Sequence, residues 1–152
     1  MANKIEDQDL FSVGAWAKRC YFAGRAMMED ALRPHGIGAT QWYVLHQLTQ
    51  VGPTMQRELV RLLEIERATL SIIVATLVRK GLVEQVTDDV DQRQKLLRLT
   101  PAGRRLWGKL PDLGFIHEAA FGSFSEADLA TTARVLKVAT ERLNQRMKAW
   151  KS

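Results

Sequence analysis

The chain has 152 residues, of which 46% are hydrophobic, 26% are charged and 4 are proline. These values are typical of an ordinary globular domain with its own core, and they argue against a disordered chain. No apolar run approaches the roughly 18 residues that a membrane-spanning helix needs.

The formal net charge of +5 is unevenly distributed along the chain. Residues 57–109 carry eleven basic and seven acidic side chains, and residues 134–152 carry six basic side chains and one acidic one. Clustered Lys and Arg suit a polyanionic partner, because each phosphate that they neutralise releases condensed counterions. A solvated basic surface is the alternative explanation.

The single cysteine, Cys20, cannot close an intramolecular disulfide, and the first residues, MANKIEDQDLF, are too polar for a secretory signal. Both observations predict a cytoplasmic protein. His35, His46 and His117 lack metal-ligand spacing, so neither a metal nor another cofactor is expected. The chain also lacks a glycine-rich phosphate loop and a nucleophile elbow, so we do not expect an enzyme.

Helical spacing predicts a first helix from Phe11 to about Leu32, stopped by the Pro-His-Gly sequence that follows. Cys20 lies on its apolar stripe, so we expect a buried thiol there. A second helix is predicted with Thr40 as its N-cap, and it ends at Gly52. The apolar stripe of the first helix consists of Val13, Trp16, Cys20, Ala23, Met27 and Ala31.

Two short helices joined by a tight turn are predicted between Thr54 and Lys80. Thr54 is the expected N-cap of the first, and Glu64–Glu66 form the turn. In the second, Leu70, Ile73, Val74 and Leu77 form a stripe that belongs to the core. The opposite face is expected to be exposed, and it holds Arg67, Ala68, Ser71, Ile72, Ala75, Thr76, Arg79 and Lys80.

A β-hairpin with a charged tip follows. Gly81 is expected to end the preceding helix in a left-handed conformation, and residues 82–86 and 95–99 read as strands around a loop with Asp91 and Arg93. Helix, turn, helix and basic hairpin in this order predict a winged helix.

The remaining sequence is predicted to be helical. Thr100 and Ser125 are expected N-caps, and Pro111 is expected to break the helix that starts at Pro101. The last helix has coiled-coil spacing, which favours a partner, most simply a second copy; packing on its own domain is the alternative. Its seam consists of Leu129, Ala133, Leu136, Thr140, Leu143, Met147 and Trp150.

The segments LVRKGLVEQ and DDVDQRQKLLRLTPAGRRL resemble the wing signature of the MarR family of bacterial transcription regulators. The signature has a Gly-Leu-Val entry, an Asp-x-Arg tip and a Leu-Thr-x-x-Gly exit. The order of six helices and one hairpin is similar over nearly the whole chain. The matching residues are Gly81, Leu82, Val83, Asp91, Arg93, Leu99, Thr100 and Gly103.

The resemblance implies a mainly α fold with a small β-hairpin wing, as a single domain over residues 1–152. Its winged helix-turn-helix lobe would cover about 40–100, and N- and C-terminal dimerisation helices would cover about 10–34 and 101–150. It also implies an obligate homodimer that binds a pseudo-palindromic double-stranded DNA operator as a ligand-responsive repressor. The expected dimer-interface residues are Phe11, Val13, Leu129, Leu136, Leu143, Met147 and Trp150.

In such a protein the helix from Arg67 would enter the major groove, and Arg93 at the wing tip would reach the minor groove, oriented by Asp91. This chain has Glu66 where many family members have a serine cap, and Ile72 where a basic residue is common. The expected DNA-binding residues are Arg67, Ala68, Thr69, Ser71, Ile72, Ala75, Arg79, Lys80, Asp91, Gln92, Arg93, Gln94 and Lys95.

Family members commonly respond to small phenolic or aromatic acids. Residues that would line such an effector pocket here are Trp16, Tyr21, Arg25, Met27, Trp42 and Tyr43, although aromatic and Met residues at helical spacing are also typical of plain core. Two alternatives stay open: a winged-helix protein-interaction module without specific DNA binding, and a redox regulator that senses through Cys20.

Overall fold

The computed structural model describes residues 12–87, 89–91 and 93–152. Two sequence-predicted site residues, Phe11 and Gln92, lie outside the described residues. The chain divides into two compact units, of which the first ends at Asp112 and the second is Leu113–Ser152.

The first unit is a helical domain with a small sheet. After the first helix a single 3-10 turn covers Arg33–His35. The helices are α1 (Val13–Leu32), α2 (Ala39–Val51), α3 (Gln56–Leu63), α4 (Arg67–Arg79) and α5 (Pro101–Trp107), and the strands are β1 (Thr54–Met55), β2 (Val83–Thr87) and β3 (Lys95–Leu99). The second unit contains α6 (Gly114–Phe121) and α7 (Glu126–Lys151).

The sheet is antiparallel and has the order β1-β3-β2. The predicted hairpin is confirmed, with Val83 opposite Leu99 and Thr87 opposite Lys95. Strand β1 was not predicted, because its two residues are too few to show the alternation of a strand. Its pairing of Thr54 with Leu97 covers the second edge of β3.

The core of the first unit lies where α2 and α4 meet the sheet. The predicted stripe on α4 is largely confirmed, since Leu70, Val74 and Leu77 are buried, whereas Ile73 is only partly covered. Their burial sets which face of α4 remains in solvent. The other fully buried side chains are Leu32, Val44, Leu45, Leu59, Val83 and Leu97.

The C-terminus of α4 ends in a Schellman motif around Gly81, as the sequence predicts. Gly81 has a φ of +74°, and its N–H donates to the Val78 carbonyl at 2.9 Å. The Leu82 N–H donates to the Leu77 carbonyl at 3.0 Å. These two bonds satisfy carbonyls that the helix leaves unpaired, and they fix the direction in which β2 starts.

Two of the predicted N-caps are confirmed and two are wrong. The Thr100 and Ser125 side chains accept hydrogen bonds from the N–H groups of Gly103 and Asp128. Thr40 lies inside α2, because the Glu29 carboxylate already accepts from the Ala39 N–H at 2.9 Å and so starts the helix earlier. Thr54 lies in β1 and donates its hydroxyl to the Gly52 carbonyl.

Two backbone breaks separate helices. The predicted break at Pro111 is confirmed, since α5 ends at Trp107 and α6 begins at Gly114. In the turn between α3 and α4, Glu64 adopts a left-handed conformation with a φ of +52°, which is uncommon for a residue other than glycine.

Gly103 in the first turn of α5 packs directly on the wing. A Cβ added there would collide with the Leu82 carbonyl and would lie 3.1 Å from Leu99 Cδ2. This close approach of α5 to the start of β2 explains the glycine in the Leu-Thr-x-x-Gly sequence.

Gly103→Ala is therefore expected to lower the free energy of unfolding by about 1–3 kcal/mol, because backbone atoms must move to admit the methyl group. Gly108→Ala is the matched control, since its Cβ would meet nothing closer than 3.6 Å. Urea denaturation checks both variants. Equal stability of the two would contradict the close approach.

Candidate nucleic-acid interface

The solvent-facing side of α4 carries short polar and apolar side chains, with Arg67 at its first position and Arg79 at its last. Ile72 near its middle is 68% exposed. At the N-terminus Glu66 occupies the cap position without a side-chain hydrogen bond to the helix. The predicted residues that are exposed on α4 are Arg67, Ala68, Thr69, Ser71, Ile72, Ala75 and Arg79.

A chain of side-chain hydrogen bonds joins the wing to α4. Gln85 on β2 donates to Gln56 Oε1 at 2.7 Å, and Gln56 donates to the Ser71 hydroxyl at 3.3 Å. That hydroxyl donates its own proton to the Arg67 carbonyl at 3.0 Å. Ser71 therefore keeps an acceptor lone pair, and no donor, for a further partner.

The wing tip is organised by Asp91. Its Oδ1 accepts from the Arg93 backbone N–H at 3.0 Å and lies 3.4 Å from Arg93 Nε, while its carbonyl accepts from the Gln94 N–H at 2.9 Å. The aspartate thus closes a turn and also contacts the guanidinium. The Arg93 side chain is 94% exposed, so it projects from the tip.

The wing, α3 and α4 together form a groove of about 500 Å³. Four of its lining residues are basic and one is acidic, which gives it a positive potential. The sequence-based prediction missed Gln56, Arg57 and Val60, because residue types alone did not show that the start of α3 lies beside the wing. The lining residues are Gln56, Arg57, Val60, Arg67, Ser71, Asp91, Arg93, Gln94 and Lys95.

Two of the predicted DNA-binding cations do not line this groove. Arg79 donates to the Thr76 hydroxyl within α4 at 3.3 Å. The Lys80 ammonium donates to the Gly36 carbonyl and, at 3.2 Å, to Gln41 Oε1. Lys80 is thus engaged with the junction between α1 and α2.

Two exposed ion pairs lie within the wing and on α3. Arg98 on β3 donates to Glu84 on β2 at 3.0 Å, and this hydrogen bond lowers the pKa of the Glu84 carboxyl. A hydrogen bond from Arg61 lowers the pKa of Glu58 in the same way. Because these arginines already have carboxylate partners, they offer less to a polyanion than the groove arginines do.

A second, smaller cavity of about 240 Å³ lies between α2, α5 and the end of β3. Its walls combine apolar surface with two guanidinium groups, Arg98 and Arg104. Among the described residues, Arg104 has no side-chain hydrogen bond or ion pair. The lining residues are Leu48, Thr49, Gly52, Pro53, Arg98, Leu99, Arg104 and Trp107.

The six residues predicted to line an effector pocket line neither cavity. Trp16, Tyr21 and Met27 are exposed on α1, and Arg25 donates to the Thr40 hydroxyl at 2.8 Å. Tyr43 contacts Met28 through its hydroxyl, which lies 3.6 Å from the sulfur.

Trp42 belongs to an aromatic cluster on α2 and α5. Its ring stacks on His46 with the centroids 4.8 Å apart, and it lies 5.5 Å from Trp107. Trp107 also lines the smaller cavity, so Trp42 contacts a residue of the cavity wall without lining the cavity itself.

The expected burial of Cys20 is wrong for the single chain, where the residue is exposed. Only Met28 and Leu32 of α1 are buried, so the apolar stripe extends beyond the part of the helix that packs on its own domain. Val13 on the same helix is 52% exposed.

The predicted seam on α7 is also largely uncovered. Leu129 and Leu136 are half-buried, whereas Leu143, Met147 and Trp150 are exposed, Trp150 by 84%. Apolar side chains of this size in a row are uncommon on the surface of a monomer.

Over residues 12–87, 89–91 and 93–152, no group of three His, Cys, Asp or Glu side chains is arranged to hold a metal ion. Within the same ranges, every helix is too short or too polar to cross a membrane.

Comparison with known proteins agrees with this geometry. The model of the MarR family matches residues 35–94, which include α2–α4 and most of the wing. The transcriptional activatory protein BadR of Rhodopseudomonas palustris is 30% identical over 113 residues, which are 70% of this chain and 63% of BadR. The matched part thus spans less than two thirds of the length of that relative.

Two solved structures share the fold. A mutant MarR from E. coli complexed with operator DNA superposes with a TM-score of 0.75 at 22% identity, over 86% of this chain and 95% of that one. BpsR from Bordetella bronchiseptica, whose DNA binding is regulated by 6-hydroxynicotinic acid, superposes with a TM-score of 0.74 at 25% identity. The superposition covers 85% of this chain and 98% of BpsR. The winged-helix elements, the wing signature and the family match make this chain similar to the MarR family.

Proposed function

We propose that the chain is a transcription regulator that binds double-stranded DNA sequence-specifically as a homodimer, and that a small ligand controls its binding. The observation that carries this proposal is the basic groove between α3, α4 and the wing, with Arg57, Arg67, Arg93 and Lys95 around one concave surface. A polyanion is the partner that such a surface attracts.

The exposed side chains of α4 suit the major groove. Ser71 offers an acceptor to the amino group of adenine or cytosine, and the exposed Ile72 fits against a thymine methyl group. In the proposed complex, Arg67 and Arg57 would lie where phosphates flank the helix. Arg93 would extend from the wing towards the minor groove, where narrow A·T segments attract guanidinium groups.

The relatives support DNA as the partner. The E. coli MarR structure with the same winged-helix fold is complexed with operator DNA. BadR, the relative that is 30% identical, is named a transcriptional activatory protein. We propose repression here, in the cytoplasm.

A second copy of the chain is the partner that we propose for the exposed apolar stripes of α1 and α7. A two-fold dimer would carry two copies of α4, and these would bind half-sites about one helical turn apart on a pseudo-palindromic operator. Burial of Leu143, Met147 and Trp150 between copies would remove a large apolar area from water.

The ligand that we propose is a small organic acid in the cavity of about 240 Å³. Trp107 and Leu99 would cover its ring, and the Arg104 guanidinium would bind its carboxylate. This class of ligand is supported by BpsR, whose DNA binding responds to 6-hydroxynicotinic acid.

Two other functions remain as alternatives. A protein-interaction module without DNA binding would not need the basic groove, and its interaction with random duplex would not depend steeply on salt. A redox regulator would use Cys20, whose exposure in the single chain makes it accessible to an oxidant.

Arg93→Ala is expected to weaken binding to a random-sequence duplex about tenfold and to reduce the slope of log K against log salt by about 1, because one phosphate-proximal cation is lost. Fluorescence anisotropy over a range of KCl concentrations measures both quantities. Arg33→Ala is the matched control, because it also removes one arginine charge, but outside the groove, where Arg33 pairs with Asp30. Unchanged affinity of the Arg93 variant would remove the wing from the mechanism.

Leu143→Glu is expected to shift the protein from dimer to monomer, because a carboxylate would have to be buried between the two copies. Sedimentation velocity at micromolar concentration measures the change. Gln145→Glu adds the same charge on a different side of α7 and should leave the dimer intact. A Leu143 variant that sediments like the wild type would argue against the α7 stripe as the interface.

Arg104→Ala is expected to raise the concentration of 6-hydroxynicotinate that releases the protein from DNA by about tenfold, since the carboxylate loses a charged donor. A competition assay with labelled duplex measures release. Arg105→Ala is the control, because Arg105 is exposed outside the cavity. If both variants respond as the wild type does, this cavity is not the effector site.

A further inference from the structure

Lys80 joins three helix ends. It is the C-cap residue of α4, and its ammonium donates to the Gly36 carbonyl and to Gln41 Oε1. Gly36 lies directly after the 3-10 turn that ends α1, and Gln41 lies in the first turn of α2. Lys80 thereby contacts Gly36, which is 44 positions earlier in the sequence, and Gln41, which is 39 positions earlier.

The Gly36 carbonyl lies at a helix end of the same type as the one that carries Lys80. Gly36 has a φ of +69°, and its N–H donates to the Arg33 carbonyl at 3.0 Å, while the Ile37 N–H points to the Leu32 carbonyl at 3.5 Å. The last carbonyls of a helix lie at the negative end of its dipole, so the end of α1 favours the ammonium that contacts the Gly36 carbonyl.

Gln41 extends the connection to α2. Its Oε1 accepts from the Gly38 N–H at 3.4 Å as well as from Lys80 Nζ at 3.2 Å. On the other side of the same helix start, Glu29 of α1 accepts from the Ala39 N–H, and Arg25 donates to Thr40. The N-terminus of α2 is therefore held by α1 and, through Gln41, by the end of α4.

We infer that Lys80 is a positioning residue, which fixes the C-terminal end of the recognition helix α4 against the junction of α1 and α2, and not a phosphate ligand. This inference rests on the proposed DNA-binding function. Two of the three N–H donors of the ammonium already have acceptors within the protein, and Lys80 lies outside the lining of the basic groove.

The assignment gives Lys80 a distinct role in recognition. Base readout depends on the angle of α4 in the major groove, whereas the phosphate contacts depend mainly on charge. Loss of the Lys80 contacts should therefore weaken binding to the operator more than binding to random duplex. Loss of a phosphate ligand would weaken both by a similar factor.

The test compares Lys80→Met, which keeps the aliphatic stem, with Arg79→Met, which removes the same charge one residue earlier. An operator duplex selected from a random library with the wild-type protein, and a random duplex, are titrated at several KCl concentrations. We expect Lys80→Met to weaken operator binding by about threefold to tenfold, with random-duplex affinity and salt slope unchanged. Lys80→Arg should restore most of the operator affinity, because it keeps a charged donor.

A second readout needs no DNA. The amide of Ile37 shares its peptide bond with the Gly36 carbonyl, so its ¹⁵N chemical shift should move in Lys80→Met and not in Arg79→Met. Operator affinities of Lys80→Met, Gln41→Leu and the double variant should be non-additive, because both residues act through one contact.

The possible outcomes separate the two claims. A wild-type protein that binds duplex without a steep salt dependence would overturn the proposed function itself. A wild type that binds, together with a Lys80→Met slope reduced by about 1, would make Lys80 a phosphate ligand and overturn the inference. An unmoved Ile37 resonance would overturn it as well, whatever happens to the affinity.

Discussion

The pairing of β3 on both of its edges brings the wing and the start of α3 together, and with them the basic side chains that they contribute to the groove. On one edge it holds β2, so the wing leaves the domain at a fixed angle. On the other it holds Thr54 and Met55, which come directly before α3, so Arg57 is brought beside the wing. A two-residue strand thus contributes to a concave surface that neither the wing nor α3 would form alone.

The groove then depends on polar contacts that run across this sheet. Gln85, Gln56 and Ser71 form a continuous chain from β2 to α4, and the chain uses the donor of the serine hydroxyl. Two of these three side chains, Gln56 and Ser71, also line the groove. In the proposed complex with DNA they would adjoin the bases, so recognition and internal support would share residues.

The local elements were predictable from the sequence, and several tertiary contacts were not. Gly81, Thr100 and Pro111 act through backbone geometry that a few neighbouring residues determine, and their roles were predicted correctly. Thr40 was a misleading N-cap because Glu29, ten residues before the first amide of α2, already caps that helix. Cys20 follows the apolar period of α1, but the period does not reveal which part of a long helix its own domain covers. The predicted site was incomplete because it is the pairing of β1 with β3 that brings Gln56 and Arg57 to the groove, and the sequence does not show this pairing.

The left-handed backbone at Glu64 affects how firmly the angle between α3 and α4 is held. A side chain other than glycine in that region costs about 1 kcal/mol, and here the cost is carried by the single link between α3 and α4. The relative orientation of these two helices is thus maintained against a small opposing torsional preference. Leu59 on α3 and Leu70 on α4, one on either side of the link, are fully buried, and we expect their burial to oppose this preference. Loss of that burial should change the angle between the two helices.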